Sequence, residues 1–145
     1  MAVRVQDVAF DLGAEVEAFA KGRSEAGAIV TFSGIVRGDG GMTHMDIEHY
    51  PGMTEKALAA IDAEAQSRWS LDGSLVIHRH GTLRVGEIIM MVATAARHRK
   101  DAFEAAEFLM DYLKSRAPFW KKEHGGDAVG WVAAKDDDET ALDRW

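Results

Sequence analysis

Apolar and polar residues follow two rhythms along this chain. Val3 to Val5 alternates as a short strand does, and Leu12, Val16 and Phe19 then recur at helical spacing within Leu12 to Lys21. Ala26 to Arg37, AGAIVTFSGIVR, is rich in β-branched residues and reads as a strand. The glycine-rich RGDGGMTH that follows predicts a mobile loop. Met45 to Tyr50 alternates as a half-buried strand until Pro51 and Gly52 break it. Thr54 opens the alanine-rich TEKALAAIDAEAQSRW, a helix with Leu58, Ile61 and Ala65 on one stripe. Gly73 to His80 and Glu87 to Ala96 predict two more strands, joined by a turn at Gly81 to Gly86. Lys100 to Arg116 reads as a second long helix with the stripe Phe103, Ala106, Met110 and Leu113. Pro118 ends it, because the residue before a proline is pushed out of the helical region. Phe119 to His124 and Gly130 to Ala134 predict a hairpin around a Gly-Gly turn, and DDDETALDRW a last helical turn or two.

Helices and strands are therefore mixed, and adjacent strand pairs preclude a simple alternating parallel sheet. The expected class is α+β, with helices packed on a mainly antiparallel sheet. The length of 145 residues suits a single domain, 1–145, and 47% hydrophobic residues suffice for its core. The net charge of -7 argues against general nucleic-acid or membrane-surface binding, since both need a broad basic field. The absence of cysteine excludes disulfides, thiolate metal sites and cysteine nucleophiles. No apolar run approaches the roughly 18–20 residues of a membrane span, and acidic residues interrupt the N-terminal stretch where a signal peptide is apolar. A cytoplasmic location is expected.

Against that acidic background, LKSRAPFWKKEHG gathers Lys114, Arg116, Lys121, Lys122 and His124 around one apolar turn. Lys114 closes the long helix, where a lysine commonly complements the negative helix end and pairs with Asp111 three residues back. Strand alternation places Phe119, Lys121 and Glu123 on one face and Trp120, Lys122 and His124 on the other, so one of the two lysines points inward beside an aromatic ring. Arg97, His98, Arg99 and Lys100 crowd a helix N-terminus, which favours anions and disfavours cations. Arg37 opens the glycine loop, able to close over a ligand or simply to solvate a strand end. His44, His49, His78 and His80 raise the question of a metal; His78 and His80 share a strand face, but no third ligand accompanies them at a recognisable spacing, and no metal is expected. Met90, Met91, Met110 and Phe108 read as packing. The residues alone predict a lysine and arginine pocket for an anionic ligand.

The segments VTFSGIVR, IEHYPGMTEKAL, VIHRHG, RHRKDAFEA and FLMDYLKSRAPFWKKE resemble, in order from about Gly27 to Trp131, the large catalytic subunit family of molybdopterin synthase. The resemblance implies an α/β hammerhead fold and a homodimer. A small ubiquitin-like sulfur carrier would dock at each end to make a heterotetramer. The carrier's C-terminal Gly-Gly thiocarboxylate would supply two sulfurs to cyclic pyranopterin monophosphate (precursor Z), giving molybdopterin without any cofactor of the chain's own. An ending in Asp143-Arg144-Trp145, together with the lack of cysteine, fits a receiver of sulfur and not its carrier. Carried over from the family, Lys114 and Lys121 are the catalytic residues, expected to form a buried pair that lowers each other's pKa. Arg37, His98 and Arg99 bind the phosphate or pterin. Phe32, Met110, Pro118 and Phe119 line the channel. The other readings are a pterin-binding module without chemistry and a scaffold for the ubiquitin-like partner.

Overall fold

Two neighbouring central strands carry side chains buried on both faces, and their alternation sorts the core into two layers. The computed structural model describes residues 2–126, 130–132 and 136–145. One sheet has the spatial order β1 (Ala2–Gln6), β4 (Leu71–Arg79), β6 (Ile88–Ala96), β2 (Ala28–Ile35), antiparallel except for β1 beside β4. On one face of it, Leu75 and Ile77 of β4 and Met91, Ala93 and Ala95 of β6 pack with Phe19 of α1 (Leu12–Ala20). On the other, Val76 and Val92 meet Leu58 and Ile61 of α2 (Met53–Arg68) and Phe108, Leu109 and Leu113 of α3 (Arg99–Arg116). A buried bond from Thr94 Oγ1 to the Ala102 carbonyl, 2.7 Å, fastens α3 to β6.

The α+β expectation holds, but the strands divide between two sheets. The second has the order β5 (Gly81–Arg84), β3 (His44–His49), β7 (Phe119–His124), β8 (Gly130–Trp131), all antiparallel. The stretch expected as a turn contains β5, whose Leu83 is fully buried beside Met45 and Ile47. Its four residues lie between Gly81 and Gly86, both at positive φ, so local sequence signals turns on either side of a strand too short to show its alternation. The glycine loop after β2 is also more tied down than expected. It holds a 3₁₀ turn at Asp39–Gly41, buries Met42, and packs Gly40 and Gly41 so closely on Gly126 that a Cβ there would collide with them. Ala133 and Ala134, expected in the last strand, lie outside the described residues. No helix among the described residues is long and apolar enough to cross a membrane.

The expected stripe of α3 holds at Ala106, Met110 and Leu113 and fails at Phe103. Ala102, Ala105, Ala106, Leu109 and Leu113 face the core, whereas Phe103 is 60% exposed. The acidic tail forms α4 (Asp136–Ala141) and a 3₁₀ turn, and it returns Trp145 to the core. The Trp145 ring stands edge-on to Trp69 and Phe108, at 5.5 and 5.6 Å between centroids. Its Nε1 donates to Asp111 at 2.6 Å, and its carbonyl accepts from Arg68 at 2.8 Å. Trp145→Ala is expected to lower unfolding free energy by about 2–3 kcal/mol, less than a fully buried tryptophan because one side stays wet. Urea titration checks this.

Asp62 of α2 is fully buried, and neither carboxylate oxygen has a hydrogen bond of ordinary geometry. Burial pushes its pKa up, and the nearby Ser74 hydroxyl offsets only part of this. A raised native pKa means that the folded state holds the proton more tightly. The resulting stabilisation is present below the unfolded carboxylate range and is lost as pH rises through the folded pKa. Asp62→Asn is therefore expected to raise the melting temperature by a few degrees at neutral pH and to bring no gain in acid. Melting curves across pH test both halves.

Candidate functional site

The site forms where the larger sheet runs out from under the last turn of α3. Met90 of β6 pairs with Gly34 of β2 on one side and with His78 of β4 on the other, so the three stand in a row across one face. Phe32 stands on the same face two residues from Gly34. Gly34, lacking a side chain, leaves that floor open. Above it come Met110, Leu113 and Lys114 from α3, then Ala117, Phe119 and Lys121 from the segment that leads into β7. Together they enclose a cavity of about 130 Å³. It opens into a wider cleft of about 820 Å³, bordered also by Arg37, Asp39, Trp120, Glu123 and Asp138.

The alternation of β7 resolves which lysine points inward. Phe119 and Lys121 face the cavity, while Lys122 lies on the other face with its Nζ 5.7 Å from the centre of the Trp131 ring. Pro118 is not part of the wall. Side chains alternate along an extended segment, so Ala117 and Phe119 point in and the proline between them does not. Its part is to end α3 and turn the chain into β7. Phe32, Met110 and Phe119 line the cavity.

The two lysines are brought together at the cavity, but not as a buried pair. Lys114 is exposed at the mouth and Lys121 is half-buried inside. The expected pairing of Lys114 with Asp111 does not form, because Arg144 and Trp145 both donate to the Asp111 carboxylate. Among the described residues Lys114 has no ion pair. The tail thus leaves the lysine at the mouth available to an incoming anion. Arg37 reaches the outer cleft, where it is exposed and bonded to Asp39 at 2.6 Å.

His98 and Arg99 are not brought to this cavity by their own chain. Both are exposed at the start of α3, with His98 as the N-cap residue. At about 1.5 Å per residue, Arg99 lies roughly 22 Å along the helix from Lys114.

His78 was considered in the sequence only as a metal ligand, and it stands instead in the cavity wall. Its ring stacks on Phe119, 3.7 Å between centroids and 15° from parallel, and its Nδ1 donates to the Arg79 carbonyl at 2.7 Å. Burial pushes its pKa down to about 3, and Lys121, Lys114 and His49 add to this by charge while the carbonyl bond opposes it. The signal in sequence was its place two residues after Val76, on the same inward face of the strand. Its neighbour in sequence His80 sits instead beside His49, 4.2 Å between ring centroids.

The described residues that group as metal ligands are His44, Asp46 and His124 on the second sheet, with candidate donor atoms within 4.8 Å of one another. Their bonding is met internally. Asp46 accepts from Thr82 at 2.6 Å and from His124 Nε2 at 2.8 Å, and the two imidazoles stack 6° from parallel. Arg84 pairs in register with His44, and Lys122 with Asp46, which sets cations beside the group. These contacts account for the cluster as a pairing between strands.

A family model described as MoaE protein matches residues 5–116. The curated molybdopterin synthase catalytic subunit of Cereibacter sphaeroides is 63% identical over 146 residues, covering 100% of both chains. The chain belongs to the MoaE family. Among solved structures, the molybdopterin biosynthesis MoaE protein of Burkholderia ambifaria superposes with a TM-score of 0.84 at 48% identity, over 100% of this chain and 98% of that one. A Helicobacter pylori structure shares the fold, with a TM-score of 0.77 at 20% identity over 92% and 90% of the two chains. That structure is a complex of subunits 1 and 2 of molybdopterin-converting factor. The MoaE match ends at Arg116, so the cavity's Phe119 and Lys121 lie beyond it, while the full-length relative covers them.

Proposed function

We infer that this MoaE protein is the catalytic subunit of a molybdopterin synthase and moves sulfur from a small partner to a pterin. The observation that carries the reading is the two-part cavity, both parts of which are lined by Lys114 and Lys121. The inner space of about 130 Å³ falls below the usual range for a small-molecule site and suits an extended chain end. The outer cleft of about 820 Å³ lies in the usual range for a small-molecule site. A C-terminal Gly-Gly has no side chains to obstruct entry into such a cavity, and its thiocarboxylate is an anion drawn to Lys121 and Lys114. The substrate is cyclic pyranopterin monophosphate, whose phosphate exchanges with Asp39 on Arg37.

In each of two rounds the thiocarboxylate sulfur bonds to a side-chain carbon of the pterin as a carbon–oxygen bond at that carbon breaks, the oxygen staying on the opened phosphate in one round and leaving as water in the other, so that a thioester joins partner and pterin. Water then cleaves the acyl–sulfur bond, which leaves the sulfur on the pterin and returns the partner as a carboxylate. Lys114, at the junction of cavity and cleft, stabilises the acyl intermediate or transfers its proton. Lys121 assists from inside. A role for His98 and Arg99 in phosphate binding rests on the homodimer, in which a second copy would present the start of its α3 to the cleft. The partner is a ubiquitin-like carrier, and two carriers on that dimer make the heterotetramer.

Calorimetric titration with a ubiquitin-like carrier and with the same carrier lacking its Gly-Gly tests the cavity assignment. Truncation is expected to weaken binding about tenfold or more, since the tail's contacts are lost. Equal affinity for both forms would place the tail elsewhere.

A further inference from the structure

Among the described residues, the titratable side chain in the inner cavity's wall besides the two lysines is His78. Its orientation is fixed by Phe119 on its face and by the Arg79 carbonyl at its Nδ1. A carbonyl only accepts, so Nδ1 carries the ring proton and Nε2 holds a lone pair. The charged or titratable groups acting on the ring are Lys114 from α3, Lys121 from β7 and His49 from β3. A cationic ring would add a third positive charge beside the lysines, and burial opposes it further. The imidazole is therefore a neutral acceptor across the physiological range. Much of the remaining wall is apolar, with Phe32, Ile89, Met90, Met110 and Leu113. An ammonium entering such a space is stabilised by any acceptor within reach. Lys121 stands two residues from Phe119 on the same face of β7, so its stem leaves the strand beside the ring that Phe119 covers.

We propose that His78 is a positioning residue for Lys121, its Nε2 accepting a hydrogen bond from the lysine Nζ and holding that amine at the cavity. The kinetic consequence rests on the sulfur-transfer reading, whereas the contact itself does not. Long-range proton–nitrogen NMR of the imidazoles reads the contact without any activity. The native chain is expected to show His78 protonated at Nδ1, with an Nε2 resonance displaced by hydrogen bonding. Lys121→Met should move Nε2 toward the free-acceptor position and leave Nδ1 unchanged. An Nε2 resonance that does not move would overturn the proposal.

The kinetic arm uses His78→Phe, which keeps the stack on Phe119 but has no lone pair, and His78→Gln, which restores an acceptor. His78→Phe is expected to lower kcat about tenfold, as for loss of a hydrogen bond to a charged group, with KM for the pterin nearly unchanged. Its pH–rate profile should shift, and His78→Gln should recover most of the rate. Native turnover in a folded His78→Phe would show that the ring only packs. If His78→Phe does not fold, the NMR comparison decides alone. If the native chain makes no molybdopterin, the sulfur-transfer reading fails while the NMR comparison still settles the contact.

Discussion

Lys114→Ala is expected to reduce molybdopterin formation by about a hundredfold or more while leaving the fold intact and weakening carrier binding far less. The side chain is exposed at the cavity mouth, has no ion pair among the described residues, and stands in the last turn of a helix where alanine is well tolerated. Its removal therefore has little structural effect to confuse with a chemical one. Arginine at this position separates the two roles open to the lysine. Arginine keeps the positive charge but does not give up its proton. Recovery by Lys114→Arg would assign charge stabilisation of the acyl intermediate, and a variant as slow as Lys114→Ala would assign proton transfer. Melting temperature and carrier affinity, measured on each variant, separate lost turnover from lost folding or binding.

Lys121→Met is expected to lower turnover by about tenfold to a hundredfold. Methionine fills the space of the lysine stem, which matters because Lys121 is half-buried beside His78 and Phe119, where alanine would open a gap. Both lysines border one cavity, so their effects should not add. The double variant is expected to be little slower than Lys114→Ala alone, as for residues acting in one step. Multiplicative losses in single-turnover experiments would show instead that the two lysines serve separate steps.

The parts of this site that sequence made legible are those set by local rules. Pro118 had to end α3, and alternation along β7 required Phe119 and Lys121 to share a face, so the inward lysine followed once one neighbour was known to be buried. Contacts set by distant chain were not legible. Asp111 stands three residues before Lys114 and reads locally as its partner, yet Arg144 and Trp145 return from the C-terminus to claim it. Phe103 falls on a plausible apolar stripe, but neighbouring alanines pack closer to the sheet and leave it outside. His78 read in sequence as one of four histidines that raised the question of a metal, until β4, β6 and β7 met around it. The family resemblance named His98 and Arg99 as substrate ligands, and one chain keeps them at the far end of α3. Their assignment depends on a second copy in a way that their sequence positions do not reveal.

The most direct measurement mixes the purified chain with a thiocarboxylated ubiquitin-like carrier and cyclic pyranopterin monophosphate, and follows both molybdopterin and the carrier's C-terminus by mass spectrometry. Molybdopterin should form, with two carrier thiocarboxylates converted to carboxylates for each product. A folded chain that binds the carrier but yields no molybdopterin would contradict the account and leave a scaffold in its place.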